Sequence, residues 1–207
     1  MFTRKLFTSI PSIANINKVF RFKSCTPQNR ISSGKILYNT LQNKHVSDVF
    51  MYSGGSVMPL IDSFYGGNIK YYINNHEQNC GHAATGYAKT SSKNVPGVVL
   101  VTSGPGITNM ITPMLDATND STPLVVISGQ VSKSAMGTNA FQEAPAVELS
   151  KHVTKWSHCV DDINNLQEAL DKAFYIAMDK KKGAVHLDIP KCVASDSISS
   201  ELYKQNL

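Results

Sequence analysis

The sequence predicts an α/β protein built on a doubly wound, mostly parallel sheet of about six strands, with helices on both faces. Two apolar runs support this prediction, VVLVT at 98–102 and PLVVIS at 123–128. Such continuous runs are typical of strands buried on both faces of a parallel sheet. Segments with helical spacing alternate with the strands, which is the order of repeated β-α units.

The segment before these two runs contains five predicted elements. In order they are a helix at 33–44, a strand at 46–52, a short helix at 56–64, a strand at 69–73 and a helix at 76–91. The glycine pair Gly54–Gly55 ends the first of these strands, and Asn75 is the predicted N-cap of the last helix.

Three further elements complete the prediction. A helix at 105–119 joins the two apolar strands, and a helix at 164–180 leads to a last strand, AVHLDIP, at 184–190. The segment between 128 and 164 is predicted as a long loop.

The basic charge of the chain is concentrated at its N-terminus. Residues 1–47 hold 8 of the 20 Lys and Arg residues and none of the 15 acids, so residues 48–207 carry 12 bases and 15 acids, a net charge of −3. A mildly acidic body with one Trp argues against nucleic-acid binding. No apolar run approaches the roughly 20 residues that span a bilayer, so no membrane partner is expected.

Residues 1–30 have the composition of a transit peptide, with Arg, Lys, Ser and Thr among spaced apolar residues and no acid. We therefore expect import into mitochondria or another organelle. A disordered basic tail on a cytosolic protein is the alternative.

The cysteines do not indicate a disulfide framework or a metal site. Four of them are scattered along the chain, at Cys25, Cys80, Cys159 and Cys192. His76, Cys80 and His82 are close in sequence, but a helical wheel turns His82 away from the other two, so no zinc site is predicted.

Four polar loops follow the predicted strands, and ligands bind at the carboxyl ends of strands in such sheets. The loops contain MYSGGS, NNHEQ, TSGPGITN and SGQVSKSAMGTNAFQE. Each loop can also be explained without a ligand, by turn glycines or a first-turn carboxylate. The residues alone therefore predict an α/β domain with a ligand cleft and no particular chemistry.

Several blocks resemble one known family in content and order. HEQNCGHAATGYAK, VVLVTSGPGITNMITPMLDA, PLVVISGQV, MGTNAFQEA and TKW are similar to the N-terminal domain of acetolactate synthase catalytic subunits, over roughly residues 33–192. The resemblance implies a thiamine-diphosphate enzyme in which this domain binds the aminopyrimidine of the cofactor. It also implies that separate domains, absent here, hold the diphosphate with Mg²⁺ and the FAD.

The resemblance also implies roles for single residues. The implied catalytic residues are Glu77, which hydrogen-bonds the pyrimidine N1′ and favours the imino tautomer, and Gln142, which faces the reacting centre. The implied cofactor-binding residues are Tyr52, Gly55, Glu77, Pro105, Asn109 and Phe141. No metal ligand is predicted in this chain.

The chain departs from the family pattern at several positions. Ser53 replaces a usual Pro, and Asn79, Cys80 and Thr85 replace the usual Gly, Ala and Glu. The GDG triplet that the family uses for Mg²⁺ and diphosphate does not occur in the sequence.

The resemblance implies a component of an acetolactate synthase of branched-chain amino-acid biosynthesis, an enzyme that joins pyruvate to a second 2-oxo acid. This chain alone is expected to be inactive. A non-catalytic module that dimerises with a full-length subunit is one alternative. A related thiamine enzyme, such as a 2-hydroxyacyl-CoA lyase or oxalyl-CoA decarboxylase, is another. The expected partner is a second copy or a full-length catalytic subunit, bound through a small-residue helix face of Gly81, Ala84 and Ala88.

The expected domain organisation has three parts. Residues 1–30 form the leader, 31–195 the thiamine-diphosphate pyrimidine-binding domain, and 196–207 a tail or the start of a linker to an FAD domain.

Overall fold

The structure is a computed structural model that describes residues 29–205, and the side chains of residues 29–203. The predicted leader therefore lies outside the described residues up to position 28.

The described chain forms eight strands and nine α-helices. The strands are β1 (Arg30–Ser32), β2 (Asp48–Met51), β3 (Lys70–Ile73), β4 (Gly97–Val101), β5 (Leu124–Gln130), β6 (Trp156–Cys159), β7 (Ala184–Pro190) and β8 (Ser197–Ser199). The helices are α1 (Ser33–Asn43), α2 (Met58–Ile61), α3 (Glu77–Thr90), α4 (Pro105–Thr108), α5 (Ile111–Asn119), α6 (Ala146–Ser150), α7 (Leu166–Met178), α8 (Lys191–Ala194) and α9 (Ser200–Gln205). Short 3₁₀ turns occupy 62–64, 133–135 and 163–165.

Six of the strands form one parallel sheet in the order β3-β2-β4-β5-β7-β6. Helices cover both of its faces, so the predicted α/β fold is confirmed. β1 and β8 form a separate antiparallel pair. From β3 the chain returns past β2 to begin β4, so the strand order reverses between β2 and β4. A doubly wound sheet opens a crevice at the carboxyl ends of its strands where the order reverses.

Two hydrophobic cores lie on opposite faces of the sheet. On β4, Val98 and Leu100 belong to the core under α1 and α7, whereas Val99 and Val101 belong to the core under α3 and α5. Successive side chains of a strand point to opposite faces, so a strand between two helix layers is apolar at every position. The burial of all five β4 residues explains the VVLVT run.

Two local predictions are wrong. The N-cap of α3 is His76, not Asn75: His76 has extended backbone at φ −155°, and its Nδ1 accepts a hydrogen bond from Gln78 N at 3.1 Å. The predicted helix at 105–119 is divided into α4 and α5. Pro113 has no N–H for the carbonyl of Asn109, four residues earlier, and its ring crowds that carbonyl, which interrupts the helix.

Several elements were not predicted. β6 lies within the predicted loop before residue 164, and it is an edge strand whose four residues are all half-buried. Residues 196–207, expected to be a tail or linker, contain β8 and α9. β8 pairs with β1, and the main-chain N–H of Ser200 donates to the carbonyl of Asn29 at 2.8 Å.

The predicted docking face of α3 is also wrong. Gly81 and Ala84 are buried within the molecule, and Ala88 is half-buried. A Cβ on Gly81 would lie 2.6 Å from Cγ of Pro113, and a Cβ on Gly97 would overlap the backbone of Ala84. The small residues of α3 therefore allow close packing on α5 and β4.

Among residues 29–205, we find no helix long and apolar enough to cross a membrane.

Candidate functional site

Ser56 links the loops that follow β2 and β4 at the carboxyl edge of the sheet. Its Oγ lies 3.0 Å from Oγ1 of Thr102 and accepts a hydrogen bond from Ser103 N at 3.0 Å. The end of β5, which begins the polar segment 128–143, is also close, since a Cβ on Gly129 would lie 2.9 Å from Cβ of Ser56. Three of the four polar loops predicted from the sequence therefore meet around one buried hydroxyl.

Glycines allow these loops to approach one another. A Cβ on Gly54 would overlap the side chain of Thr102. Gly104 has a φ of 61°, in the region that favours glycine, and a Cβ there would lie 2.8 Å from the carbonyl oxygen of Gln142. Gly55, by contrast, has no atom within 4 Å of the corresponding position, so the space above its Cα is open.

Glu77 lies in the first turn of α3, directly after the end of β3. Its side chain is only 7% exposed, and Asn109 Nδ2 donates a hydrogen bond to its Oε2 at 2.9 Å. Oε1 has no hydrogen-bond partner among the residues that the structure describes. A buried carboxylate with one open oxygen can accept a hydrogen bond from a ligand or share a proton with it.

Gln142 and Phe141 lie on the loop that precedes α6. The backbone of Gln142, with a φ of 58°, lies against Gly104, next to Pro105 at the start of α4. The Phe141 side chain is 88% exposed.

The remaining predicted residues lie on the same edge of the sheet. Tyr52 extends the pairing of β2 with β4, since its N–H donates to the carbonyl of Leu100 at 3.0 Å, and its side chain packs against the core under α3 and α5. Pro105 is exposed. The structure thus brings Glu77 and Asn109 into contact, places Gln142 beside the 104–105 turn, and leaves Phe141 projecting from the surface.

A buried polar network lies behind this edge. Ser128 Oγ donates to Oδ1 of Asp188 at 2.6 Å and lies 2.8 Å from Nε2 of His186. Gln130 Nε2 donates to Oδ2 of Asp188 and to the carbonyl of Ala144, both at 2.9 Å. Burial raises the pKa of Asp188 to about 6 and lowers that of His186 to about 3. Through the hydrogen bond from Gln130 to Ala144, the network anchors the loop that carries Phe141 and Gln142 to the end of β5.

His76, Cys80 and His82 have separate roles. His76 caps α3, Cys80 is wholly buried in the core under α3 and α5, and His82 Nδ1 lies 3.8 Å from Oδ2 of Asp116. In residues 29–203 no group of three or more His, Cys, Asp and Glu side chains is arranged to hold a metal ion.

The three residues of α3 that depart from the family pattern have different surroundings. Thr85 is buried and its Oγ1 donates to the carbonyl of Gly81 at 2.8 Å, whereas Asn79 is exposed. Burial raises the pKa of the Cys80 thiol, so this cysteine is a neutral core residue.

The sequence prediction missed three residues that shape the site, namely Ser56, Gln130 and Glu143. Ser56 joins two loops, Gln130 joins Asp188 to Ala144, and Glu143 accepts hydrogen bonds from backbone N–H groups of its own loop. Ser56 and Gln130 act through contacts between chain segments, which no local pattern shows, whereas the role of Glu143 depends on how its own loop is folded. The serine that follows a glycine pair was the only available signal, and it is a weak one.

The chain is similar to known proteins over most of its length. Residues 31–149 match a family model described as thiamine pyrophosphate enzyme, N-terminal TPP binding domain. The mitochondrial acetolactate synthase of Schizosaccharomyces pombe is 44% identical over 172 residues, which is 83% of this chain and 25% of that protein. The mitochondrial acetolactate synthase catalytic subunit of Saccharomyces cerevisiae is 43% identical over 166 residues, 80% of this chain and 24% of that protein.

Similarity extends to bacteria. The large subunit of acetolactate synthase isozyme 2 of Escherichia coli is 42% identical over 153 residues, 74% of this chain and 28% of that protein. The chain spans about a quarter of the length of these relatives.

Proposed function

Because this chain belongs to the thiamine pyrophosphate enzymes as an N-terminal TPP binding domain, we propose that it supplies the pyrimidine-binding half of an acetolactate synthase active site. The observation that carries the proposal is Glu77, a buried carboxylate at the reversal of strand order, with Asn109 on one oxygen and the other open. Similarity to acetolactate synthases of yeasts and bacteria supports this choice of reaction.

The arrangement fits the pyrimidine end of the cofactor. Oε1 of Glu77 is available to share a proton with a ring nitrogen, while Asn109 holds the other oxygen in place. Open space above Gly55 allows a flat ring to approach the backbone. Tyr52 and Pro105 border the same crevice, and Phe141 and Gln142 face the position of the incoming 2-oxo acid. When bound, thiamine diphosphate supplies the carbon nucleophile that attacks that acid.

The rest of the active site comes from another domain. We propose that Mg²⁺, the cofactor's diphosphate and FAD are bound by domains like those in the remaining three-quarters of the relatives, supplied by a full-length catalytic subunit. The substrates are pyruvate and a second 2-oxo acid, and the product serves branched-chain amino-acid biosynthesis.

We expect the chain alone to make no acetolactate from pyruvate, because without a diphosphate and Mg²⁺ site the cofactor loses its strongest electrostatic anchor. The measurement is acetolactate formed by the purified chain with thiamine diphosphate and Mg²⁺. Turnover by the chain alone would contradict the proposed division of the site.

The role of Glu77 is tested in an assembly with a full-length relative that has been inactivated at its own corresponding glutamate. The chain should restore activity, and Glu77→Gln should lower turnover by roughly 10² to 10⁴, the range of a general acid–base step. Cofactor affinity should change much less, because the amide keeps the shape of the side chain. Exchange of the cofactor C2 proton for deuterium, measured by NMR, should slow in parallel.

Glu168→Gln is the matched control, since Glu168 is an exposed carboxylate in the first turn of α7. It should leave both rates unchanged. If Glu77→Gln matched the wild-type assembly, Glu77 would be only a helix-start carboxylate, and a non-catalytic module that binds a full-length subunit would become the better explanation. Activity on acyl-CoA substrates in place of pyruvate would favour a related thiamine enzyme.

A further inference from the structure

The loop that carries Phe141 and Gln142 is folded around the carboxylate of Glu143. Gly137 N donates a hydrogen bond to Oε1 of Glu143, and Ala140 N donates to Oε2 at 3.0 Å. The backbone N–H of Gly137 does most to lower the pKa of Glu143, and those of Ala140, Asn139 and Thr138 add to it. One carboxylate therefore interacts with several backbone N–H groups of the same loop.

The backbone of this loop adopts conformations that need such support. Gly137, Asn139 and Gln142 have φ values of 81°, 57° and 58°, and two of these three residues are not glycine. Left-handed backbone is costly for residues with a Cβ, and it persists where surrounding contacts hold it. The inward N–H groups and the carboxylate supply those contacts, together with a bond from Glu143 N to the carbonyl of Ala140 at 2.9 Å.

Near its tip the loop is also held by Thr138, whose N–H and Oγ1 donate to the carbonyl of Ala135 at 3.3 Å and 2.7 Å. Its far end is held where the carbonyl of Ala144 accepts from Gln130, and Gln142 lies against Gly104. Phe141 is 88% exposed and so contributes little packing of its own. Within the 137–142 segment, the side chain of Glu143 thus ties Gly137 to Ala140.

We propose that Glu143 is a positioning residue that sets where Phe141 and Gln142 stand at the mouth of the site. The catalytic importance of this loop rests on the proposed function, whereas the effect of Glu143 on the loop conformation does not. Glu143 acts through the loop backbone and does not take part in the chemistry.

Only a carboxylate fits this position. It accepts hydrogen bonds on both oxygens and donates none, whereas the amide of glutamine would turn an NH₂ group toward the loop's own N–H donors. Glu143→Gln therefore keeps the size of the side chain and removes at least one of its two hydrogen bonds to the loop backbone.

The test is NMR on the ¹⁵N-labelled 207-residue chain. In the wild type, the Gly137 and Ala140 amide protons should shift together with pH, with an apparent pKa below that of an ordinary glutamate. In Glu143→Gln this titration should disappear, the two amides should exchange with solvent about tenfold faster or more, the factor expected for losing a charge-assisted hydrogen bond, and the Phe141 and Gln142 amide signals should move.

Glu148→Gln is the control, because Glu148 is exposed and its pKa is lowered by its ion pair with Lys151, not by backbone N–H groups. It should leave the loop signals in place. Unchanged Phe141 and Gln142 signals in a folded Glu143→Gln chain would overturn the proposal. So would loop amides that do not titrate in the wild type.

Kinetics in the reconstituted assembly separate this proposal from the proposed function. Glu143→Gln should raise the KM for the 2-oxo acid or lower kcat while cofactor affinity stays the same. A moved loop with wild-type kinetics would overturn the positioning role. An inactive wild-type assembly would count against the proposed function, and the NMR result would still decide whether Glu143 sets the loop.

Discussion

Two residues on β7 show how burial at single positions sets protonation. Asp188 is 1% exposed and His186 is not exposed, and burial raises the pKa of the acid to about 6 and lowers that of the base to about 3. At neutral pH the carboxylate is charged and the imidazole is neutral. The carboxylate accepts hydrogen bonds from Ser128 and Gln130, which partly offset the cost of burying it.

These two shifts act on stability with opposite signs. The pKa of Asp188 is about 6 in the folded state and 3.8 in the unfolded state. Its contribution to the free energy of unfolding is therefore complete below pH 3.8 and is lost as the pH rises through 6. His186 has a folded pKa of about 3 against 6.5 when unfolded, so its contribution is present above 6.5 and is lost as pH falls toward 3. Between about pH 4 and 6 the two contributions change with pH in opposite directions, so their effects on the free energy of unfolding cancel.

In Asp188→Asn, the pH dependence of the free energy of unfolding that comes from His186 should no longer be cancelled. The free energy of unfolding of the variant, relative to wild type, should fall as pH drops from 6 to 4, by about 1.4 kcal/mol per unit and on the order of 3 kcal/mol in total. Urea unfolding at several pH values measures it, with Asp62→Asn, at an exposed position, as the control. Parallel curves for wild type and variant would show that Asp188 does not titrate in this range.

At the scale of the element, α3 contains two glycines with opposite surroundings. Gly81 faces α5, where an added Cβ would lie 2.6 Å from Pro113 Cγ and 2.7 Å from Met110 Cε. Gly86, five residues later on the same helix, has no atom within 4 Å of that position. The rigid proline ring cannot move aside as a flexible side chain can.

Alanine at these two positions should therefore change stability in opposite directions. Gly86→Ala should stabilise the chain by up to about 1 kcal/mol, the difference in helix propensity. Gly81→Ala should destabilise it, because an overpacking cost of typically 1–3 kcal/mol exceeds that gain. Urea midpoints for both variants check this. Equal shifts for the two would mean that α3 and α5 are not in close contact.

The elements differ in how well the sequence predicts them. β4 and β5 were predicted because burial on both faces makes every residue apolar. β6 was not predicted, because an edge strand with half-buried residues such as Trp156 and His158 has no continuous apolar run. The division of the helix at 105–119 depends on Pro113, which the apolar spacing does not reveal.

The candidate site was predicted through resemblance more than through physics. Glu77 alone could be a surface carboxylate, and only its contact with Asn109, 32 positions away in sequence, shows a held side chain. Ser56 was missed for the same reason, because it joins loops from different strands, whereas the role of Glu143 depends on the backbone conformation of its own loop. That Tyr52, Gly55 and Phe141 contact the cofactor remains a prediction.

At the scale of the whole molecule, the positive charge is concentrated in the N-terminal quarter of the chain, which includes β1 and α1. Residues 1–47 carry 8 bases and no acid, while residues 48–207 have a net charge of −3. Two of the yeast relatives are named as mitochondrial proteins. We propose that residues 1–30 direct this chain to mitochondria or another organelle.

A fusion of residues 1–35 to a fluorescent reporter should enter that organelle, since basic, acid-free segments with spaced apolar residues direct import. The control replaces Arg4, Lys5, Lys18, Arg21 and Lys23 with Gln, which keeps the length and removes five of the seven positive charges in the fused segment. Microscopy of both fusions makes the comparison. A diffuse cytosolic signal from the first fusion would leave the disordered-tail interpretation.

The pairing of β1 with β8 brings the two ends of the described chain side by side. Asn29 and Ser200 share a main-chain hydrogen bond of 2.8 Å, so a short linker could join them without disturbing either strand. A domain of this shape can be circularly permuted, with new ends opened at the exposed turn 92–94. It can equally be inserted as a unit into a surface loop of another protein, entering and leaving at one point.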